Sequence, residues 1–172
     1  LPLDPAFIQF RNVSFAYRPD EPTLTDFSLT LQKGERVALV GESGGGKTTV
    51  IRLLSRMYEL DNGQILVDGV DIRQLPRDLL RRRMALVSQE PFVFAGTVGF
   101  NISLGDQQAE QRMRQAAATV GADRFIEQLP HGYDPVLAER GGDLSLGVRQ
   151  LLCFARAVAF DPELLILDEA TA

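Results

Sequence analysis

The sequence predicts an α/β fold with a mostly parallel sheet, and three observations predict it. Short apolar runs at 36–40 (RVALV), 84–88 (MALVS) and 163–168 (ELLILD) have the length and content of strands buried in a parallel sheet. Helical patterns separate them, and the first run leads through a glycine-rich turn directly into a helix. The chain has 172 residues, 45% hydrophobic and 24% charged, the length and composition of one compact domain.

Taken in order, 7–17 (FIQFRNVSFAY) alternates apolar and polar residues as a half-buried strand does, and Asp20 to Pro22 supply a turn. Residues 24–31 repeat the alternation, so the two form an antiparallel pair. The run 36–40, bounded by Gly34 and Gly41, reads as a strand buried on both faces. From Thr48 to Tyr58 the residues Val50, Ile51, Leu53, Leu54 and Met57 give a helix with a broad apolar face, stopped at Asp61-Asn62-Gly63. A β segment at 64–67 and an Asp68-Gly69 turn follow. Residues 77–83 form a short helix in which Arg81, Arg82 and Arg83 read as a solvated face. Helical content resumes over 106–129, is interrupted at Gly141 and Gly142, and returns over 148–160.

Lys plus Arg number 18 against 23 acidic residues, a net charge of −5, which offers no basic field for a nucleic-acid backbone. The single Cys153 cannot form an internal disulfide. Its neighbours Leu151, Leu152 and Phe154 predict a buried thiol in a reducing compartment. No apolar run approaches the ~18 residues that span a bilayer, so the chain as it stands is expected to be soluble. It opens on Leu1 and stops just after an acidic pair, and reads as a piece of something longer.

Residues 41–48, GESGGGKT, match G-x-x-x-x-G-K-[ST] between a predicted strand and a predicted helix, the context that a phosphate-binding loop requires. Gly41, Gly44, Gly45 and Gly46 let backbone N–H groups converge on phosphate oxygens, and the helix N-terminus adds partial positive charge. Lys47 places an ammonium against the β- and γ-phosphates, and the Thr48 hydroxyl is a Mg²⁺ ligand. The nucleotide-binding set accordingly runs over Gly41, Glu42, Ser43, Gly44, Gly45, Gly46, Lys47, Thr48 and Thr49. A second site ends the run 163–168: Asp168 would hold Mg²⁺ at the carboxyl end of a parallel strand, and Glu169 would polarise an attacking water. A core built on such a loop is a P-loop NTPase.

With these residues in place, the chain resembles, over essentially its whole length, the nucleotide-binding domain of ABC transporters of the exporter type. LSLGVRQ at 144–150 resembles the family signature, and SQEPFVFAGTVGFNI at 88–102 resembles the exporter Q-loop region with Gln89 as its glutamine. Tyr17 in FAY stands where the family stacks an aromatic on adenine. DGVDIRQL at 68–75 is exporter-like, as is ERG at 139–141, in the segment that faces the transmembrane partner. The resemblance implies an N-terminal antiparallel β subdomain and an inserted α-helical subdomain at 91–150, within one domain whose ATP-binding core is 1–90 and 151–172. It implies ATP and Mg²⁺ as cofactors, Glu169 and Gln89 as catalytic residues, and Thr48, Gln89 and Asp168 around the metal. Leu144, Ser145, Gly147 and Gln150 would meet the nucleotide held by a second nucleotide-binding domain in a head-to-tail homo- or heterodimer. A transmembrane domain, fused N-terminally, would place the protein at the cytoplasmic face of the cell membrane.

Two departures stand out. Leu146 replaces the usual Gly of the signature and Val148 the usual Gln. The family's D-loop and switch histidine would lie beyond Ala172, since His131 comes before the signature and reads as a surface-loop residue. A domain ending there is expected to bind ATP with little or no turnover. Two other classes fit the same motifs: a soluble ABC-type ATPase of DNA repair or translation, and a non-hydrolytic ATP-sensing module. The exporter-like Q-loop region and ERG argue against the first.

Overall fold

The computed structural model describes residues 6–42, 44–142 and 144–168; Ser43 and Glu169 lie outside the described residues. The chain divides into two compact units, Leu1–Arg81 and Arg82–Ala172.

The first unit is built on an antiparallel sheet of β1 (Ile8–Arg18), β2 (Glu21–Leu31), β3 (Asn62–Val67) and β4 (Val70–Asp71), in the order β2-β1-β3-β4. The expected β1–β2 pair forms, with one change of phase. Ile8 and Phe10 are buried and then Val13 and Phe15, because Asn12 takes a left-handed φ of 46° and inserts a bulge. Gly63 of β3 crosses at that bulge, where a Cβ would collide with the carbonyls of Arg11 and Asn12. The turn Asp68-Gly69, at φ 48° and 77°, has the two left-handed residues of a tight hairpin and joins β3 to β4.

Helix α1 (Lys47–Leu54) follows the phosphate loop and buries Thr49, Val50, Leu53 and Leu54. It is shorter than the sequence predicts. Ser55 caps it, its hydroxyl donating to the Ile51 carbonyl at 2.9 Å, and Arg56 turns left-handed at φ 50°. Met57, expected on the apolar face, is therefore exposed. Helix α2 (Arg77–Arg82) comes last in this unit, and Arg81 donates to the Ser55 carbonyl at 3.3 Å.

The expected strand 36–40 is not observed. Residues 35–42 pair with no strand among the described residues, and Val40 is 93% exposed. An apolar run suits burial, but a strand also needs a neighbour's hydrogen bonds.

In the second unit β5 (Met84–Val87) and β8 (Leu164–Leu167) pair in parallel, with Met84 opposite Leu164 and Val87 opposite Leu167. Arg83 ties their starts together. Its guanidinium binds both Glu163 carboxylate oxygens, at 2.7 and 2.9 Å, and its carbonyl accepts from Glu163 and Leu164. The expectation of a solvated Arg81–Arg83 face thus fails at Arg83, which is half-buried and paired with Glu163, whereas Arg81 and Arg82 are exposed. Burial of this pair is also less complete than expected: Leu86, Leu165 and Leu167 are exposed.

Helix α6 (Leu146–Ala159) covers β5, with Cys153 and Ala157 against Val87. It also packs on α3 (Val98–Ser103) and α4 (Gln107–Val120), with α5 (Asp123–Ile126) alongside, around Ile102, Ala117, Ile126 and Leu152. Asp106 caps α4 by accepting from Gln108 and Ala109, both at 2.9 Å, and Gly121 ends it at φ 76°. A two-stranded ribbon, β6 (Gly96–Thr97) with β7 (Val136–Leu137), enters α3; the sequence predicted neither the ribbon nor α3.

Candidate functional site

The site residues fall on both units. In the first, the phosphate loop leads into α1 through Gly46, whose φ is 84° and whose missing Cβ leaves room for Leu24 and the Thr23 carbonyl. Any side chain there would meet both obstacles. The loop closes on itself. The Glu42 carbonyl accepts from the Gly45 N–H at 3.0 Å and from Lys47 Nζ at 2.8 Å, and Lys47 Nζ also donates to the Gly41 carbonyl at 2.7 Å. Lys47 thus spans the loop with two of its three donors engaged. The first N–H groups of α1 have no acceptor within the helix, and with the helix dipole they favour an anion in front of Lys47, Thr48 and Thr49. The Thr48 side chain is exposed.

Tyr17 sits near the end of β1 and reaches the same helix. Its hydroxyl shares a 3.2 Å hydrogen bond with Thr49 Oγ1 and accepts from Arg52 Nη1 at 3.1 Å. Its ring meets Phe15 and Tyr58 edge to face, with centroids 4.9 and 5.1 Å away. Thr49 thus links the ring to the start of α1, where its backbone N–H is one of those with no acceptor in the helix. The sequence placed Tyr17 and Thr49 in one set; it did not indicate that Arg52 joins them.

In the second unit the parallel pairing brings two candidates together. The Asp168 N–H donates to the Val87 carbonyl at 3.0 Å, so Asp168 stands beside the end of β5, two residues before Gln89. Both follow the carboxyl ends of adjacent parallel strands, where open α/β sheets bind ligands. Gln89 is exposed and Asp168 half-buried.

The segment after Gln89 is held by groups the sequence reading passed over. Asn101, fully buried, accepts from Phe94 N at 2.8 Å and donates to the carbonyls of Phe94 at 3.0 Å and Thr97 at 3.1 Å. Arg156 of α6 donates to the Asn101 carbonyl at 2.7 Å and the Phe92 carbonyl at 3.0 Å, and lies over the Phe94 ring. Burial works against the Arg156 charge and lowers its pKa from the ordinary arginine value. Cys153 donates to the same Phe92 carbonyl, and burial pushes its thiol up. An asparagine within an apolar helix was the one signal available for this network.

In the signature, Ser145 is the N-cap of α6, accepting from the Val148 N–H at 3.3 Å. Leu144 packs against the helical core, whereas Gly147 is exposed and Gln150 half-buried. Leu146 is exposed and lines a groove of about 590 Å³ with Gln89, Phe92, Arg140 and Arg149. Arg140 takes a left-handed φ of 62°, and its carbonyl accepts from Arg149 at 3.3 Å.

Residues 24–172 match the family described as ABC transporter. The putative ABC transporter ATP-binding protein exp8 of Streptococcus pneumoniae is 47% identical over 165 residues, covering 96% of this chain and 28% of that protein. The probable multidrug resistance ABC transporter ATP-binding/permease protein YheH of Bacillus subtilis is 48% identical over 166 residues, covering 96% and 25%. A bacterial Atm1-family ABC exporter with ATP bound superposes with a TM-score of 0.90 at 38% identity, over 100% of this chain and 31% of the exporter. The chain thus spans between 25% and 31% of the length of these proteins.

Proposed function

The chain belongs to the ABC transporter family as an ATP-binding domain of the exporter type, with that family's α/β fold, and on that premise we propose that it binds ATP and, within a full-length exporter, takes part in the hydrolysis that drives transport, the chain by itself turning over little or none. The observation that carries the proposal is the hydrogen bond between Tyr17 and Thr49, which sets an aromatic ring beside the helix that opens at the phosphate loop. A base platform and a phosphate cradle thereby occur in one unit.

The roles follow from the chemistry of each group. Tyr17 offers a π face to adenine, a contact worth roughly 1–3 kcal/mol by analogy with base stacking. The N–H groups of Gly44, Gly46, Lys47, Thr48 and Thr49 receive phosphate oxygens, Gly45 shapes the loop through its bond to the Glu42 carbonyl, and Lys47 turns its ammonium toward the β- and γ-phosphates. The Thr48 hydroxyl, the Gln89 side-chain carbonyl and the Asp168 carboxylate are hard oxygen donors of the kind Mg²⁺ takes. When bound, the ion neutralises charge on the β- and γ-phosphates. Gln89 orients the attacking water, and Glu169 receives its proton as general base.

Dimerisation completes the reading. In a head-to-tail pair, the α6 N-terminus with Ser145 and Gly147 caps the γ-phosphate held by the second domain, the use of a helix start that suits an anion. Residues 1–90 and 151–172 act as the ATP-binding core and 91–150 as the helical subdomain. The partner beyond the dimer is a transmembrane domain, which would hold the protein at the cytoplasmic membrane face and choose the substrate. ERG at 139–141 and the groove beside Gln89 and Leu146 are the surface offered to it.

Titration of the chain with ATP and Mg²⁺ by calorimetry tests the first step. We expect saturable binding that Lys47→Ala weakens at least tenfold. Equal affinity in Lys47→Ala would remove the phosphate loop from the binding site and the proposal with it.

A further inference from the structure

We propose that Arg52 and Thr49 are positioning residues for Tyr17: they grip its phenol oxygen from α1, so that one helix sets both the phosphate cradle and the attitude of the base platform. The inference rests on the ATP-binding reading above and extends it to a residue outside the nucleotide-binding set.

The geometry is specific. Thr49 and Arg52 are three residues apart on α1 and so share a face of the helix. Both meet the Tyr17 oxygen, Thr49 at 3.2 Å and Arg52 at 3.1 Å. A phenol oxygen has one donor and two acceptor sites, and a guanidinium can only donate. The Arg52 bond therefore uses an acceptor site, which leaves the phenol proton free to point at Thr49.

The ring needs such a hold. It is 42% exposed near a strand end, and although Phe15 and Tyr58 stand edge to face with it, neither touches its polar end with a hydrogen bond. A ring fixed at its oxygen loses less freedom when a base stacks on it than one that must first be immobilised. With the oxygen committed to α1, Tyr17 meets a base by its face alone.

The test separates the base from the phosphates. The chain is titrated with ATP and with inorganic tripolyphosphate, which carries the phosphates and no base. Arg52→Met removes the donor and keeps an apolar stem, Arg52→Lys keeps a cationic donor, and Tyr17→Phe removes the oxygen while keeping the ring. We expect Arg52→Met to weaken ATP binding about three- to tenfold, the range of one immobilised side chain, with tripolyphosphate affinity held within about twofold. Arg52→Lys should recover most of the loss, and Arg52→Met combined with Tyr17→Phe should bind ATP no worse than either alone.

Equal loss for both ligands would overturn the inference, since Arg52 would then act through charge or through the loop. No loss for either ligand would overturn it too. Failure of the unaltered chain to bind either ligand would instead bring down the ATP-binding reading, and this one with it. Circular dichroism checks that each variant is folded. Were Arg52→Met to unfold, Tyr17→Phe alone decides: it must lower ATP affinity and spare tripolyphosphate.

Discussion

Replacing Asn101 by alanine should cost the second unit about 3 kcal/mol. The side chain is fully buried in α3 and joins α3 to the segment that follows Gln89. Alanine strips the partner from the Phe94 N–H and from the Phe94 carbonyl, and removes one of three acceptors from Arg156, the Asn101 Oδ1 at 3.3 Å. The other two Arg156 bonds go to backbone carbonyls and survive. The Thr97 carbonyl keeps its place in the first turn of α3. Two deprived backbone groups at about 1–3 kcal/mol each bracket the estimate. The chain has no tryptophan, so urea unfolding is best followed by the helical circular dichroism signal. At a slope of roughly 1–3 kcal/mol per molar urea, the midpoint should fall by about 1–3 M. Thr119→Ala, on the exposed face of α4, serves as the reference and should stay within about 0.5 kcal/mol. A loss below about 1 kcal/mol for Asn101→Ala would refute the reasoning, because the network would then not be what secures the segment.

Two further outcomes are expected. The Arg73 side chain, hydrogen-bonded to Asp71 at 2.6 and 3.0 Å, holds that carboxyl below the usual carboxylate range. Its contribution is therefore present above the unfolded pKa near 3.9 and is lost as pH falls through the lower folded value. Asp71→Asn should remove about 1 kcal/mol near neutral pH, a figure reduced for the exposure of Arg73, and flatten the acid limb of a stability-against-pH curve; an unchanged limb would count against the pair. Cys153, buried against Val87, should react with iodoacetamide at pH 8 at least tenfold more slowly in the folded chain than in urea, and equal rates would contradict its burial. Because its folded pKa is raised, the stability that Cys153 contributes is complete below the unfolded pKa of about 8.5 and declines as pH rises above it.

What the sequence made legible depended on how local the cause was. The phosphate loop is a contiguous motif, and Gly46 shows why, since both its backbone angle and the nearness of Leu24 exclude a side chain. The runs 84–88 and 163–168 are legible as strands of a parallel sheet, but that they pair with each other is not. The β1 bulge at Asn12 hid in plain view: alternation continues through it, and only the switch from Ile8 and Phe10 to Val13 and Phe15 betrays an extra residue. The run 36–40 failed as a strand because apolar composition states what a segment tolerates, whereas pairing depends on a neighbour. Arg156 on Asn101 and Arg52 on Tyr17 are contacts across 55 and 35 residues, between side chains whose types occur as often on open surface. No local pattern marks them.

The apolar side chains left in the open along the strands bear on how the chain behaves in bulk. Leu86, Leu165 and Leu167 all present hydrocarbon to water, and β5 and β8 each have, among the described residues, one side with no hydrogen-bonded neighbour. Surfaces of this kind drive colloidal association through edge pairing and hydrophobic contact. A net charge of −5 opposes that association by mutual repulsion, which salt screens over about 10 Å at 0.1 M. Dilute, low-salt buffer above the isoelectric point is thus the condition in which the molecule stays dispersed, and concentrated, salt-rich buffer the one in which it gathers.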